Sequence, residues 1–80
     1  MTIWITNAPH MFQVFDAEQQ FYMTITVGGV AQYDVTVTLS PEEFATFRKD
    51  ENLAIALAAD VATRMSAYEA RMVKPSINPM

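Results

Sequence analysis

The sequence predicts an α+β fold: an antiparallel meander of three to four strands, then a C-terminal helix broken near residues 49–52 and packed on one sheet face. Two stretches carry this expectation. From Phe21 to Leu39 the side chains alternate between apolar and polar, the period of a strand, with Gly28-Gly29 as the bend. Directly after it, Ser40-Pro41-Glu42-Glu43 has the residue order of a helix start.

Thr2 to Thr6 is a candidate first strand, with Ile3 and Ile5 on one face and Trp4 on the other. Asn7-Ala8-Pro9-His10 is a turn signal, because Pro9 fixes φ and asparagine favours turns. Met11 to Phe15 forms a second strand, with Phe12 and Val14 opposed to Met11, Gln13 and Phe15. Asp16 to Gln20 is a polar connection of hairpin length. Sequential strands usually lie side by side, so a meander is the simplest topology.

In the hairpin, Phe21, Met23, Ile25 and Val27 point one way and Tyr22, Thr24 and Thr26 the other. Tyr33, Val35, Val37 and Leu39 form the apolar side of the second arm, against Gln32, Asp34, Thr36 and Thr38. A two-residue loop at Gly28-Gly29 would set Ile25 against Gln32 and turn polar groups to the apolar side. A three-residue loop Val27-Gly28-Gly29, with Gly29 left-handed in a bulge, repairs this. It places Phe21 opposite Val35 and Met23 opposite Tyr33; a loop shifted by one residue is its rival.

Ser40 is the expected N-cap, with Pro41 at N1, Glu43 completing a capping box, and Leu39 and Phe44 forming a hydrophobic staple. The pattern permits helix as far as Lys74, before Pro75. A single rod over 41–73 would span about 50 Å, whereas the strand it covers reaches only about 30 Å. A break at Lys49-Asp50-Glu51-Asn52, with Asp50 as the second cap, resolves the mismatch. Beyond it Leu53, Leu57, Val61, Met65, Tyr68 and Met72 share a helical face, flanked by Ala54, Ala58 and Ala62. Asp60 and Arg64 are spaced to pair. Residues 1–74 are expected to form one domain and 75–80 a flexible tail.

The chain has 80 residues and no cysteine, which rules out disulfides and thiolate metal sites. The start MTIWITNAPH has neither a basic region nor a long apolar run, so no secretory signal and a cytoplasmic location are expected. The apolar share is 51% and the charged share 18%, more apolar surface than so small a core hides, which points to a partner or a second copy.

Net charge is −4, and its distribution is uneven. Residues 1–47 hold Asp16, Glu18, Asp34, Glu42 and Glu43 without a lysine or arginine; Arg48, Lys49, Arg64, Arg71 and Lys74 all follow. An anionic sheet half repels phosphate backbones and attracts basic protein surfaces. Ordinary solubilising charge accounts for the same acids more plainly.

The inventory for chemistry is thin. His10 is the single histidine, and no serine has one nearby in sequence. Asp16 and Glu18 share a loop, but two carboxylates fall well short of the six to eight oxygens calcium takes. Gly28-Gly29 is too short to cradle phosphate and opens no helix. No catalytic residue, cofactor or metal is therefore expected. Trp4, Phe15 and Tyr22 lie on the side away from their apolar neighbours, where aromatics anchor interfaces. The same residues also suit a rim or a dimer seam.

The sequence thus predicts a small acidic, non-catalytic interaction module. Trp4, Phe15, Asp16, Glu18, Tyr22 and Asp34 would engage a basic site on a protein partner, without direct nucleic-acid or membrane binding. Such a chain acts by occupying a site that normally holds nucleic acid. Small phage or mobile-element inhibitors, anti-CRISPR proteins among them, work this way, which would place the chain in a host cytoplasm; the likeness is of size and charge, not of motif. The alternative is a structural homo-oligomer, such as a homodimer, joined through the open sheet edge or the Ala54–Ala58–Ala62 flank.

Overall fold

The strands follow the alternation of the sequence and pair in chain order. The computed structural model describes residues 1–28 and 30–77. One antiparallel sheet contains β1 (Thr2–Asn7), β2 (Phe12–Ala17), β3 (Gln20–Val27), β4 (Tyr33–Leu39) and a short β5 (Met72–Val73). Helices α1 (Pro41–Lys49) and α2 (Glu51–Thr63) follow β4, and a 3-10 helix over Met65–Arg71 leads into β5. The fold is α+β, with both α-helices after the meander, and no helix among the described residues is long and apolar enough to cross a membrane.

β2 and β3 are joined by Glu18-Gln19 alone, with φ of 52° and 65°. A two-residue hairpin on a twisted sheet needs positive φ at both positions, which glycine and asparagine supply most cheaply. Neither residue here is of that kind, so the turn is held by the strands it joins.

The β3–β4 register differs from the expected one. Phe21 pairs with Leu39, Met23 with Val37, Ile25 with Val35 and Val27 with Tyr33. The apolar sides still coincide, because the displacement from Val35 to Leu39 is an even four residues. The alternation constrains parity and leaves loop length open, and the chain between the strands runs from Gly28 to Gln32. Gly28 has φ of +100°, and a Cβ there would meet the Ala31 carbonyl oxygen at 2.4 Å. Gly29, expected in the left-handed position, lies outside the described residues.

In β1 the register passes from Ile3↔Phe15 to Ile5↔Val14, which leaves Trp4 as the extra residue of a bulge. Ile3 and Ile5 therefore do not share a face. Ile5 packs against the core, while Ile3 sits opposite Phe15 on the other side.

Phe12, Val14, Met23, Ile25, Val27, Val35, Val37 and Leu39 turn the sheet's apolar side toward Phe44 and Phe47 of α1 and Ala54, Ala58 and Val61 of α2. The buried face of α2 combines Ala54 and Ala58 of the alanine flank with Val61 of the expected stripe, while Leu53 and Ala62 are exposed. Small side chains let the helix backbone approach β3, and Leu57 packs at the rim of the core. Ala54 and Ala58 are consumed inside the chain and do not form a surface for a second copy.

The helix start forms as the sequence requires. Glu43 N–H donates to Ser40 Oγ at 3.1 Å, and Ser40 N–H donates to Glu43 Oε1 at 2.9 Å. The break falls at Asp50, whose Oδ1 accepts from Asn52 N–H at 3.0 Å and caps α2. The chain does not stay helical to Lys74. α2 stops at Thr63, and after the 3-10 helix Val73 and Met72 pair with Thr36 and Val37. This gives part of β4's outer edge backbone partners that a continued helix would have denied it.

Arg71 ties these layers together. Its Nη2 donates to Glu43 Oε1 at 2.7 Å and to the Thr38 carbonyl at 2.8 Å. On the sheet's second side Thr24 donates to the Ile77 carbonyl at 2.6 Å, and Ile77 N–H donates to Thr36 Oγ1 at 2.8 Å. Thr36 Oγ1 lies 2.7 Å from Thr24 Oγ1 and 3.3 Å from the Ile77 carbonyl, so the two hydroxyls and the Ile77 backbone form one hydrogen-bonded group. Ile77, expected in a flexible tail, is thereby bound to the sheet; residues 78–80 lie outside the described set.

Asp60 accepts from Arg64 Nε and Nη2, each at 2.8 Å, and from the Tyr68 hydroxyl. Arg64, and then Tyr68, hold its carboxyl down from the ordinary 3.8 to about 2. Because the folded value lies below the unfolded one, this stabilisation is present above about pH 4 and is lost as pH falls through about 2. Asp60→Asn should flatten that part of the Tm-against-pH curve; an identical acid slope in the variant would contradict the assignment. Replacing Glu18-Gln19 by Asn-Gly should raise unfolding free energy by about 1 kcal/mol in denaturant titration, by relieving the two positive-φ positions.

Candidate functional site

The six residues expected to meet a partner divide into three places. At the β1 edge, Trp4 Nε1–H donates to Asp16 Oδ2 at 2.8 Å. The bulge turns the indole toward α1, where it meets the Phe44 ring edge-on with centroids 5.6 Å apart. Phe44 in turn stacks on Phe21 at 4.0 Å. Glu18 stands exposed in the turn that follows Asp16.

This edge is not free of cations, contrary to the purely anionic sheet side expected from the sequence. The guanidinium of Arg48 lies 4.6 Å from the Trp4 ring centroid. Arg48 stands in the last turn of α1, and the packing of Phe44 against Trp4 and Phe21 brings that turn over the strand edge. Trp4 keeps 42% of its surface accessible, so the indole is braced and still reachable.

Phe15 and Tyr22 lie on the opposite side of the sheet, stacked with centroids 5.5 Å apart. Phe15 retains no accessible surface. Its strand parity matches the expectation, but the second side is covered there, so its ring is not presented to a partner. Tyr22 is half-buried.

Asp34 is far from the acids of the β2–β3 turn. Asp16 pairs with Phe21 and Asp34 with Thr26, and this separation along β3 amounts to about 17 Å. Thr26 Oγ1 donates to Asp34 Oδ1 at 2.8 Å. The carboxylate borders a hollow of about 290 Å³ lined also by Thr6, Met11, Phe12, Gln13 and Thr24. Trp4, Asp16 and Glu18 are therefore one cluster, Phe15 and Tyr22 a second, and Asp34 a third.

His10, the single histidine, stands in the turn between β1 and β2. Its backbone N–H and ring Nδ1 lie 3.1 and 3.0 Å from Asn7 Oδ1. An amide oxygen only accepts, so Nδ1 carries the proton. Asn7 Nδ2 donates to Glu51 Oε2 at 2.6 Å, and the relay fastens the β1–β2 turn to α2. The carboxylate reaches His10 only through the amide. Among the described residues no three histidine or acidic groups converge to hold a metal ion.

The residues that sequence reasoning missed are Arg48 and Asn7. Asn7 had a local signal, the turn, but its bond to Glu51 spans 44 positions. Arg48 had none, since nothing local says which strand a helix C-terminus will cross. No family model, curated protein or solved structure matches this chain.

Arg48→Ala should lower stability by about 0.5–1 kcal/mol, the size of an exposed cation–π contact. It should also shift the fluorescence of Trp4, the single tryptophan. Emission identical to the parent in position and intensity would place the guanidinium elsewhere.

Proposed function

We propose that this chain is a small, non-catalytic protein-interaction module, an inhibitor or regulator that engages a basic, nucleic-acid-binding site on a protein partner. One observation carries the reading. The two ion pairs among the described residues, Arg64–Asp60 and Arg71–Glu43, take both of their acids from the helices. Asp16, Glu18 and Asp34 have no cation within ion-pair distance among those residues. Arg48 over Trp4 offsets part of the field at Asp16, and the sign of what remains selects basic protein surfaces over phosphate backbones. The braced indole of Trp4 beside Asp16 supplies an aromatic anchor at the same edge.

A second reading, a homo-oligomer subunit, is favoured by one feature. Among the described residues β1 pairs with β2 alone, and it carries no charged residue and keeps Ile3 and Trp4 exposed. A solution mass of two chains, lost on Ile3→Lys, would support that assembly.

The charge reading is tested with Asp16→Lys/Glu18→Lys, checked for native circular dichroism. Tagged parent and variant are used to capture proteins from extracts of the source cells at about 0.05 M and about 0.5 M salt. The expected result is a basic protein retained by the parent at low salt, released at high salt, and not retained by the variant. Equal retention by both chains would overturn the proposal.

A further inference from the structure

We propose that the hollow beside Asp34 receives an arginine side chain of the partner protein; this rests on the basic-partner reading above and names the contact it would make. The hollow lies on the sheet side turned away from α1 and α2. Thr6 pairs with Gln13, Gln13 with Thr24, and Thr26 with Asp34, so these lining side chains share the face opposite the core. Asp34 is the one ionisable side chain among the described lining residues, which gives the hollow a single negative pole. Asp34 and Lys74 together line a second, neighbouring hollow, but the two make no ion pair among the described residues.

Three features select the occupant. The volume of about 290 Å³ is at the lower end of the range for small-molecule sites, roughly 300–1,000 Å³, and suits one long side chain. Met11, exposed at the rim of the hollow, offers apolar contact for an aliphatic stem, while the carboxylate awaits the charged head. Thr26 fixes the carboxylate through Oδ1 and takes up one of its roughly four lone-pair sites, leaving room for a forked donor. Gln13 and Thr6 line the far part of the hollow without charge, and the open lone pairs of the Asp34 carboxylate match the planar fork of a guanidinium better than an ammonium.

The test is a titration of the ¹⁵N-labelled full chain with Nα-acetyl-L-arginine amide, followed by amide chemical shifts. The citrulline counterpart, a neutral urea of the same shape, and the lysine counterpart serve as comparisons. Shifts concentrated at Gln13, Thr26 and Asp34 are expected, with a Kd of about 1–10 mM. Asp34→Asn should weaken binding about tenfold or more, and the lysine compound should bind about threefold weaker or less well still. Equal shifts from the citrulline compound, shifts centred elsewhere, no shifts at about 50 mM, or an unaffected Asp34→Asn would each overturn the proposal. Equal binding of the lysine compound would overturn the arginine assignment. Loss of capture in Asp16→Lys/Glu18→Lys with no arginine binding here would leave the module reading standing without this contact, so the two failures are distinguishable.

Discussion

Side chains on a strand alternate between two sides, and this molecule uses both sides of its central strands. Met23 and Ile25 on β3, and Val35 and Val37 on β4, must all face the helices once the ladder forms. The same geometry drives Thr24 and Thr36 to the opposite side, where they are equally buried. A hydroxyl buried without a partner costs about 1–3 kcal/mol; here the two hydroxyls bond each other, and Ile77 supplies the further acceptor and donor that complete their bonding. The return of the chain across the second side is thus a consequence of the sheet, and not an appendage to it.

The helical layer is governed by how closely it can approach. Ala54 and Ala58 leave α2 without bulk on its inner face, and Leu57 and Ile55 pack beside the contact rather than within it. Ser40 starts α1, and Asp50 ends it and starts α2. Glu43 serves twice, closing the capping box and receiving Arg71, whose guanidinium also donates to the Thr38 carbonyl, so the start of α1, β4 and the end of the 3-10 helix meet at one ion pair. A group bonded on several sides in this way resists independent motion of the elements it joins.

Charge is partitioned between architecture and surface. Glu43, Asp50, Glu51 and Asp60 each hold part of the fold in place, whether by pairing, capping or bonding an amide. The carboxylates of the strands and their turns do less for the fold: among the described residues Asp16 accepts from Trp4 and Asp34 from Thr26, both neutral donors. That division, rather than the net value of −4, is the physical basis for reading the sheet half as the side that meets another molecule.

What the sequence determined by itself is everything set by contacts within a few residues. The Ser40 box, the Asp50 cap, the Asp60–Arg64 pair and the side to which each residue of β3 turns all depend on spacing along the chain, and spacing is legible. What only the tertiary structure decided depends on distance through space. The hairpin slid by an even number of residues because parity is satisfied by more than one register, and loop closure costs little more for a five-residue loop than for a three-residue one. The bulge turned Trp4 toward α1 and under Arg48, Phe15 was buried against Tyr22, and the acids at Asp16 and Asp34 were set at opposite ends of β3. A periodic pattern encodes which way a side chain points; which other element waits there is encoded only by the whole packed chain.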